Sequence, residues 1–327
     1  MAYVARHLTK PYATLLYHVC TRYAFILNPA AGHGRAGRKR ALLERRLSRM
    51  GMEYELYVTQ GPDHAMKLAE QLAGSVHAVV AVGGDGTIRE VGGGLIASRA
   101  PVPFGIVPLG TGNDLARSLK IPRSINGALQ LLRRARPMPI DYGTLHWTGK
   151  GGAGQTIFIN AVGTGFDAAV ALASERFKRL PGKAAYLCAV PQVLRHWTTP
   201  SVRVTLNREG TPSEALSVEQ LFMMTVANGT SSGGGIRLTP DASVSDGLLD
   251  VCLVRKPSAW RLVRLFPRAL RGTHVNAPEV YIRTLTSLAF ETETPLPVHA
   301  DGEVITQTMQ QMEVRVVTGG LSILGPQ

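Results

Sequence analysis

The stretch Val79-Val80-Ala81-Val82-Gly83-Gly84-Asp85-Gly86-Thr87-Ile88-Arg89-Glu90 constrains the fold more than any other. Its leading apolar residues predict a buried strand, and the abrupt change to Gly, Asp and Thr predicts a tight turn into a helix. Glycine at positions 83, 84 and 86 lets a ligand approach the backbone, where successive N–H groups beside a helix N-terminus hold an anion such as phosphate. A carboxylate placed directly against phosphate would repel it. Asp85 therefore points to a divalent cation or to a hydroxyl proton near a phosphoryl group, with helix capping as the purely structural alternative.

The same pattern recurs on either side. Runs at 23–27, 53–59 and 102–107 read as strands. The first and third empty into small-residue loops, Asn28-Pro29-Ala30-Ala31-Gly32-His33-Gly34 and Pro108-Leu109-Gly110-Thr111-Gly112-Asn113-Asp114. Helical spacing predicts a helix over 35–50, with Leu42, Leu43 and Leu47 inward and its many cations in water, and another opening at Pro62. Gly92-Gly93-Gly94 costs a helix roughly 1 kcal/mol per residue relative to alanine, so close backbone packing is expected there. Helices also follow Asn113 and span 124–134. Strands alternating with helices predict an α/β domain in three layers with a mostly parallel sheet, whose ligands gather at the carboxyl ends of the strands.

Beyond Pro137-Met138-Pro139 the pattern changes. Short β-rich runs at 140–147, 156–162, 201–206, 218–227, 248–254, 279–284, 287–291 and 312–317 predict a β-rich sandwich. The expected organisation is an extension over 1–22, a nucleotide-binding domain over 23–137 and a β-rich domain over 138–327, its last strand free to pack back on the first. A length of 327 residues accommodates two such cores. The formal charge of +13 favours anionic partners, phosphorylated molecules or lipid headgroups. Nucleic acid is not expected, because neither a reading module nor a basic patch interleaved with aromatics occurs. No uninterrupted apolar window of about 18 residues predicts a membrane span. Cys20, Cys188 and Cys252 are scattered and odd in number, which predicts a reducing, cytoplasmic setting and small core residues.

Several separated motifs together resemble the diacylglycerol kinase catalytic family of soluble bacterial lipid kinases, with sphingosine kinases as relatives. They are the Asn28-Pro29 loop with Gly32, Gly83-Gly84-Asp85-Gly86-Thr87 with Glu90, and Gly110-Thr111-Gly112-Asn113-Asp114-Leu115-Ala116-Arg117. Asn160 with Gly163 and Gly165-Phe166-Asp167-Ala168 follows, then Gly182-Lys183 with Tyr186, then Ala227-Asn228-Gly229 with Gly233-Gly234-Gly235. Last come Pro240 with Asp246-Gly247 and Leu249-Asp250-Val251, and Asp301-Gly302-Glu303. The resemblance implies ATP in the crevice of the N-terminal domain, held by Asn28, Pro29, Ala30, Gly32, Thr59, Gly83, Gly84, Asp85, Gly86, Thr87, Glu90 and Thr111 with Glu303 near the nucleotide, and the β-rich domain as the other wall of an inter-domain cleft that the lipid enters. It implies Asp301 as general base toward a lipid hydroxyl, and a Mg²⁺ held by the Asp246 side chain with carbonyl oxygens of Ser243 and Leu248.

The residues themselves leave alternatives open. A hydroxyl attacking phosphorus benefits from a carboxylate within hydrogen-bonding reach, so Asp301 suits a base, or is only a turn residue before Gly302. Asp85 is a Mg²⁺ ligand or a second catalytic carboxylate. Thr111 donates to phosphate or closes its turn, Asn113 and Asp114 order the loop as a cap, and Asp246 is a metal ligand or a turn residue.

Trp260 to Arg271 places Arg261, Arg264, Arg268 and Arg271 on one helical face and Leu262, Val263, Leu265, Phe266, Ala269 and Leu270 on the other, with Pro267 expected to bend or divide the helix. Such a helix meets an anionic membrane or simply covers the β-rich domain. The expected function is ATP-dependent phosphorylation of diacylglycerol or a related lipid alcohol by a protein peripheral to the membrane, as a monomer or a homodimer. The rivals are an NAD kinase-like phosphotransferase and a non-catalytic lipid- or nucleotide-binding protein on the same scaffold.

Overall fold

A computed structural model describes residues 22–177 and 184–326. The sequence before Arg22, with Cys20, and the Gly182-Lys183 motif lie outside the described residues. The first half alternates as expected: β1 (Tyr23–Leu27), α1 (Arg35–Arg38), α2 (Arg40–Arg49), β2 (Tyr54–Val58), α3 (His64–Leu72), β3 (Ala78–Gly83), α4 (Asp85–Ser98), β4 (Phe104–Pro108), α5 (Asp114–Ser118) and α6 (Ile125–Arg134). The second half is mostly strand: β5 (Pro137–Gly149), β6 (Gly152–Phe158), β7 (Ala161–Gly165), α7 (Phe166–Ser174), α8 (Ala184–His196), β8 (Val202–Asn207), β9 (Glu214–Val218), β10 (Leu221–Ala227) and β11 (Leu249–Arg255). It closes with α9 (Ala259–Arg271), β12 (Val280–Leu285), β13 (Ser287–Ala300) and β14 (Glu303–Leu324).

Strands β3 and β4 are buried at every residue, as parallel strands covered by helices on both faces must be. Their register sets the site. Leu27 pairs with Val58 and Val82, and Val82 pairs with Val107, so the strands end level and the loops after β1, β3 and β4 leave one edge. The glycine run in α4 meets its expectation. A Cβ on Gly94 would overlap the Met66 carbonyl oxygen of α3, and one on Gly92 would overlap Ile159.

The β-rich domain, a sandwich around Phe158, Phe290 and the methionines 309 and 312, shares one long strand with the α/β domain. β14 lies antiparallel to β13 and β5, and at its far end Ile323 pairs in parallel with Phe104 of β4. One mixed sheet thus runs through both domains, in the order β12-β11-β10-β7-β13-β14-β4-β3-β1-β2. A third apolar cluster, with Phe166, Val170, Ala189, Val254 and Leu265, lies under α7, α8 and α9.

Four local expectations need correction. The helix over 35–50 divides at Lys39, whose backbone leaves helical values. Leu42 is exposed, because the inward phase is taken by Ala36, Leu43 and Leu47. Cys188 is exposed on α8, whereas Cys252 is buried. Pro267 does not divide α9, and only part of the apolar side of that helix is covered: Leu265 and Ala269 are buried while Val263, Phe266 and Leu270 are exposed.

Candidate active site

Two loops are locked together at the edge of the parallel sheet. Gly84 and Gly110 approach so closely that a Cβ on Gly110 would overlap Gly84 Cα. Leu109 and Gly110 both donate to the Gly83 carbonyl, and Arg35 adds hydrogen bonds of 3.2 and 2.7 Å to the Leu109 and Gly110 carbonyls. Asn113, with a left-handed backbone (φ 54°), closes its loop from within, its side chain accepting from Gly110 N and donating to Gly110 O, each at 2.9 Å. It orders the loop by that grip and makes no side-chain cap bond to α5.

Asp85 opens α4 without capping it. Its two carboxylate oxygens accept from Asn113 N and Asp114 N, both at 2.7 Å, so it ties the β3 turn to the start of α5. Burial, reinforced by the neighbouring Asp114, pushes its carboxyl up to about 6. Asp114 in turn accepts from Gly234 N at 2.7 Å, which carries the network into the β-rich domain.

The N-terminus of α4 is left open toward a small cavity of about 190 Å³, lined by Asn28, Ala31, Gly32, Gly84, Gly86, Thr87, Glu90, Gly110, Thr111 and Glu303. The Thr87 hydroxyl is buried there without a hydrogen-bond partner, and Gly83 lies beneath it because a Cβ would overlap the threonine side chain. An orphaned hydroxyl, glycine walls and unpaired helix N–H groups fit a phosphate group. The Asn28 side chain accepts from Ala30 N at 3.0 Å and shapes that loop, and Gly32 (φ 61°) has no room for a Cβ against the Leu109 carbonyl. Of the remaining expected nucleotide contacts, Pro29, Ala30, Thr59 and Gly83 line neither this cavity nor the larger one. Thr59 N instead donates to Leu27 O and finishes the β1–β2 pair. Glu90 lines the cavity but spends its carboxylate on Ala65 N of α3 at 3.1 Å, and burial raises its pKa.

A larger cavity of about 820 Å³ shares Gly86, Thr111 and Glu303 with the first and runs between the domains. Its polar end holds Asp85, Thr111, Asp114 and Asp301; its far walls are Phe166, Val190, Phe222, Val254, Leu262 and Leu265. Asp301 follows β13 in a left-handed conformation (φ 49°) before Gly302 (φ 87°). The strained turn is held by its own side chain, which accepts from Ile159 N at 2.8 Å and from Asn160 N and Ala161 N, each at 2.9 Å. Burial raises the Asp301 pKa against those three N–H bonds and the nearby Arg89. Glu303 pairs with Arg89 of α4, so the two domains also meet through an ion pair at the phosphate end.

Asp246 accepts from Leu248 N at 3.1 Å within its own turn. Asp141 holds the same turn from outside, accepting from Gly247 N and Gly319 N, both at 2.7 Å. Among the described residues no cluster of three His, Cys, Asp or Glu side chains forms a ready metal cage. Burial first, then the neighbouring Asp246 and Asp241, pushes the Asp250 carboxyl just beyond this turn up to about 7.

Some site residues escape a reading of motifs. Arg89 stands four residues after Asp85, one helical turn along the same face, and that spacing could have flagged it. The buried pair of His299 Nε2 and Asp167 Oδ2 at 3.1 Å lines the larger cavity, where His299 faces the strand partner Gly163. Asp141 gives a weaker signal, a lone acid in an apolar strand.

Residues 22–145 match the family profile described as diacylglycerol kinase catalytic domain, and residues 160–325 match a YegS C-terminal NAD kinase beta sandwich-like domain. A probable YegS-like lipid kinase of Chromohalobacter salexigens is 30% identical over 82% of this chain and 82% of its own. A diacylglycerol kinase of Mycobacterium tuberculosis is 29% identical over 94% of this chain and 96% of its own. A crystal structure described as a putative diacylglycerol kinase of Bacillus anthracis superposes with a TM-score of 0.73 at 23% identity, covering 94% of this chain and 97% of that one.

Proposed function

We propose that this chain, which belongs to the diacylglycerol kinase catalytic family, transfers the γ-phosphate of ATP to the hydroxyl of diacylglycerol or a related lipid alcohol. The observation that carries this reading is one continuous cavity with pinned carboxylates at one end and apolar walls at the other. A phosphate donor fits the glycine-lined end and a lipid acceptor fits the rest.

The residues divide the work. Backbone N–H groups at the start of α4 and the Thr87 hydroxyl bind the phosphates, with Asn28, Gly32 and Thr111 shaping their cradle. Asp301 accepts the proton of the attacking lipid hydroxyl through Oδ2, which carries a single N–H bond and so keeps a lone pair free. Its burial-raised pKa makes it a stronger base than a carboxylate in water. Asp85 keeps the loop of Thr111 in register by its two N–H bonds, which require its ionised form. Arg89 and Glu303 hold the domains at the spacing that in-line transfer needs. Mg²⁺, taken by Asp246 with carbonyl oxygens of Ser243 and Leu248, would supply charge neutralisation to the acidic turn. The reaction belongs in the cytoplasm, where ATP is available.

The test is transfer of labelled γ-phosphate from ATP to a panel of lipid alcohols, with NAD included. Labelled lipid phosphate supports the reading. Label on NAD with every lipid unlabelled overturns it.

A further inference from the structure

Among the described residues, the exposed large apolar side chains are concentrated on one helix. Trp260, Val263, Phe266 and Leu270 of α9 are exposed by 64%, 64%, 44% and 43%. Spaced by three, three and four residues, they form a stripe distinct from the buried Leu265 and Ala269, of which Leu265 joins the third apolar cluster. The helix therefore has two apolar faces, and the described residues cover only one.

Two further observations say what covers the other. Val263 and Phe266, with the exposed Leu194 of α8, also line the large cavity, so the stripe borders its opening. Beside the stripe the helix presents arginines: Arg264 lies over the Trp260 ring, 4.8 Å from its centroid, and Arg271 is exposed one turn beyond Arg268. An apolar strip edged by cations is complementary to an anionic bilayer interface, with acyl chains beneath and phosphates at the edge. In an antiparallel two-fold pair of helices the arginine sectors of the two copies would lie side by side and repel, which disfavours a second copy as the occupant.

We infer that the exposed stripe of α9, with Leu194, docks on an anionic lipid bilayer and opens the cavity mouth into it. The acceptor lipid then passes from the membrane toward Asp301 with its chains never exposed to water. The passage rests on the lipid-kinase reading above; the docking does not.

Trp260 and Leu270 lie on the stripe but do not line the cavity, so replacing both tests docking alone. Wild type is expected to float with vesicles containing phosphatidylglycerol and to release them at high salt, while Trp260→Ser with Leu270→Ser binds at least about tenfold more weakly. Its unfolding temperature should match wild type. Activity on a long-chain lipid alcohol in vesicles should fall about tenfold, with activity on a short-chain, monomeric analogue kept within about twofold. Unchanged vesicle flotation of the folded double variant overturns the inference. So does a wild-type dimer in gel filtration that the double variant dissociates, because the stripe would then belong to a second copy. If flotation falls as expected but wild type phosphorylates no lipid, docking stands and the kinase reading fails.

Discussion

The two ends of the large cavity are built differently. At the polar end carboxylates are gripped by backbone: Asp85 by Asn113 and Asp114, Asp114 by Gly234, and Asp301 by three successive N–H groups. At the apolar end the walls offer mainly shape, such as Phe166 stacked on Phe222 at 4.4 Å between ring centroids. Directional hydrogen bonds in a buried setting fix the position and charge of a group, whereas apolar contacts fix only volume. The polar end therefore decides which atom reacts, and the apolar end tolerates a range of chains.

The sharpest way to break that contrast is at Asp301. Asp301→Asn removes the proton acceptor and should lower kcat by about 10³-fold, in the range expected for general base catalysis. Nucleotide affinity, read by equilibrium binding of labelled ATP, should stay near wild type. Activity within a few-fold of wild type would remove Asp301 from the chemistry.

The next effect is steric. Gly110→Ala drives a Cβ into Gly84 and should weaken ATP binding about 100-fold as the two loops separate, while Val254→Ala at the other end should leave ATP binding unchanged. Titration of Asp85 gives a smaller and graded signal. Its carboxyl must be ionised to hold Asn113 and Asp114, so kcat/KM should decline as pH falls through about 6, and Asp85→Asn should lose that inflection.

Asp250 tests whether the acidic turn behaves as a cation site apart from the cavity. Its folded pKa, about 7, lies above its ordinary value of 3.8, so folding takes up a proton. The associated stability is present at low pH and lost as pH rises through about 7. Without Mg²⁺, Asp250→Asn should therefore raise the Tm by a few degrees at pH 8, with the difference shrinking toward pH 5. Added Mg²⁺ should raise the wild-type Tm more than that of the variant. The smallest effect belongs to the apolar end. Leu262→Ala should shift KM about threefold, by an amount that changes with acyl-chain length, and leave kcat on a short-chain substrate nearly intact.

Much of the site is legible in the chain. The run from Val79 to Glu90 reads as strand, turn and helix because each step is a local choice between burying β-branched residues and freeing the backbone with glycine. Gly92-Gly93-Gly94 announces the close approach of α3 for the same reason. Local pattern is silent on other points. Nothing near Asp85 says that its carboxylate serves α5 in place of α4, since the N–H groups it meets lie 28 and 29 residues away. The α9 wheel separates arginines from apolar residues, but it cannot say which apolar residues a neighbouring sheet will cover. Leu42 fails likewise, because a helix with leucines at 42, 43 and 47 can turn either neighbour inward until the sheet is in place.

What the sequence determined by itself is the set of short-range elements and the glycine-lined rim, because propensity, periodicity and turn chemistry act over a few residues. What only the tertiary structure decided is which groups confront one another: Asp301 against the turn at Ile159, Glu303 against Arg89, and the uncovered stripe of α9 at the cavity mouth. Those pairings depend on β14 carrying one sheet across both domains, and strand register over hundreds of residues is set by the summed packing of whole faces, which no local stretch encodes.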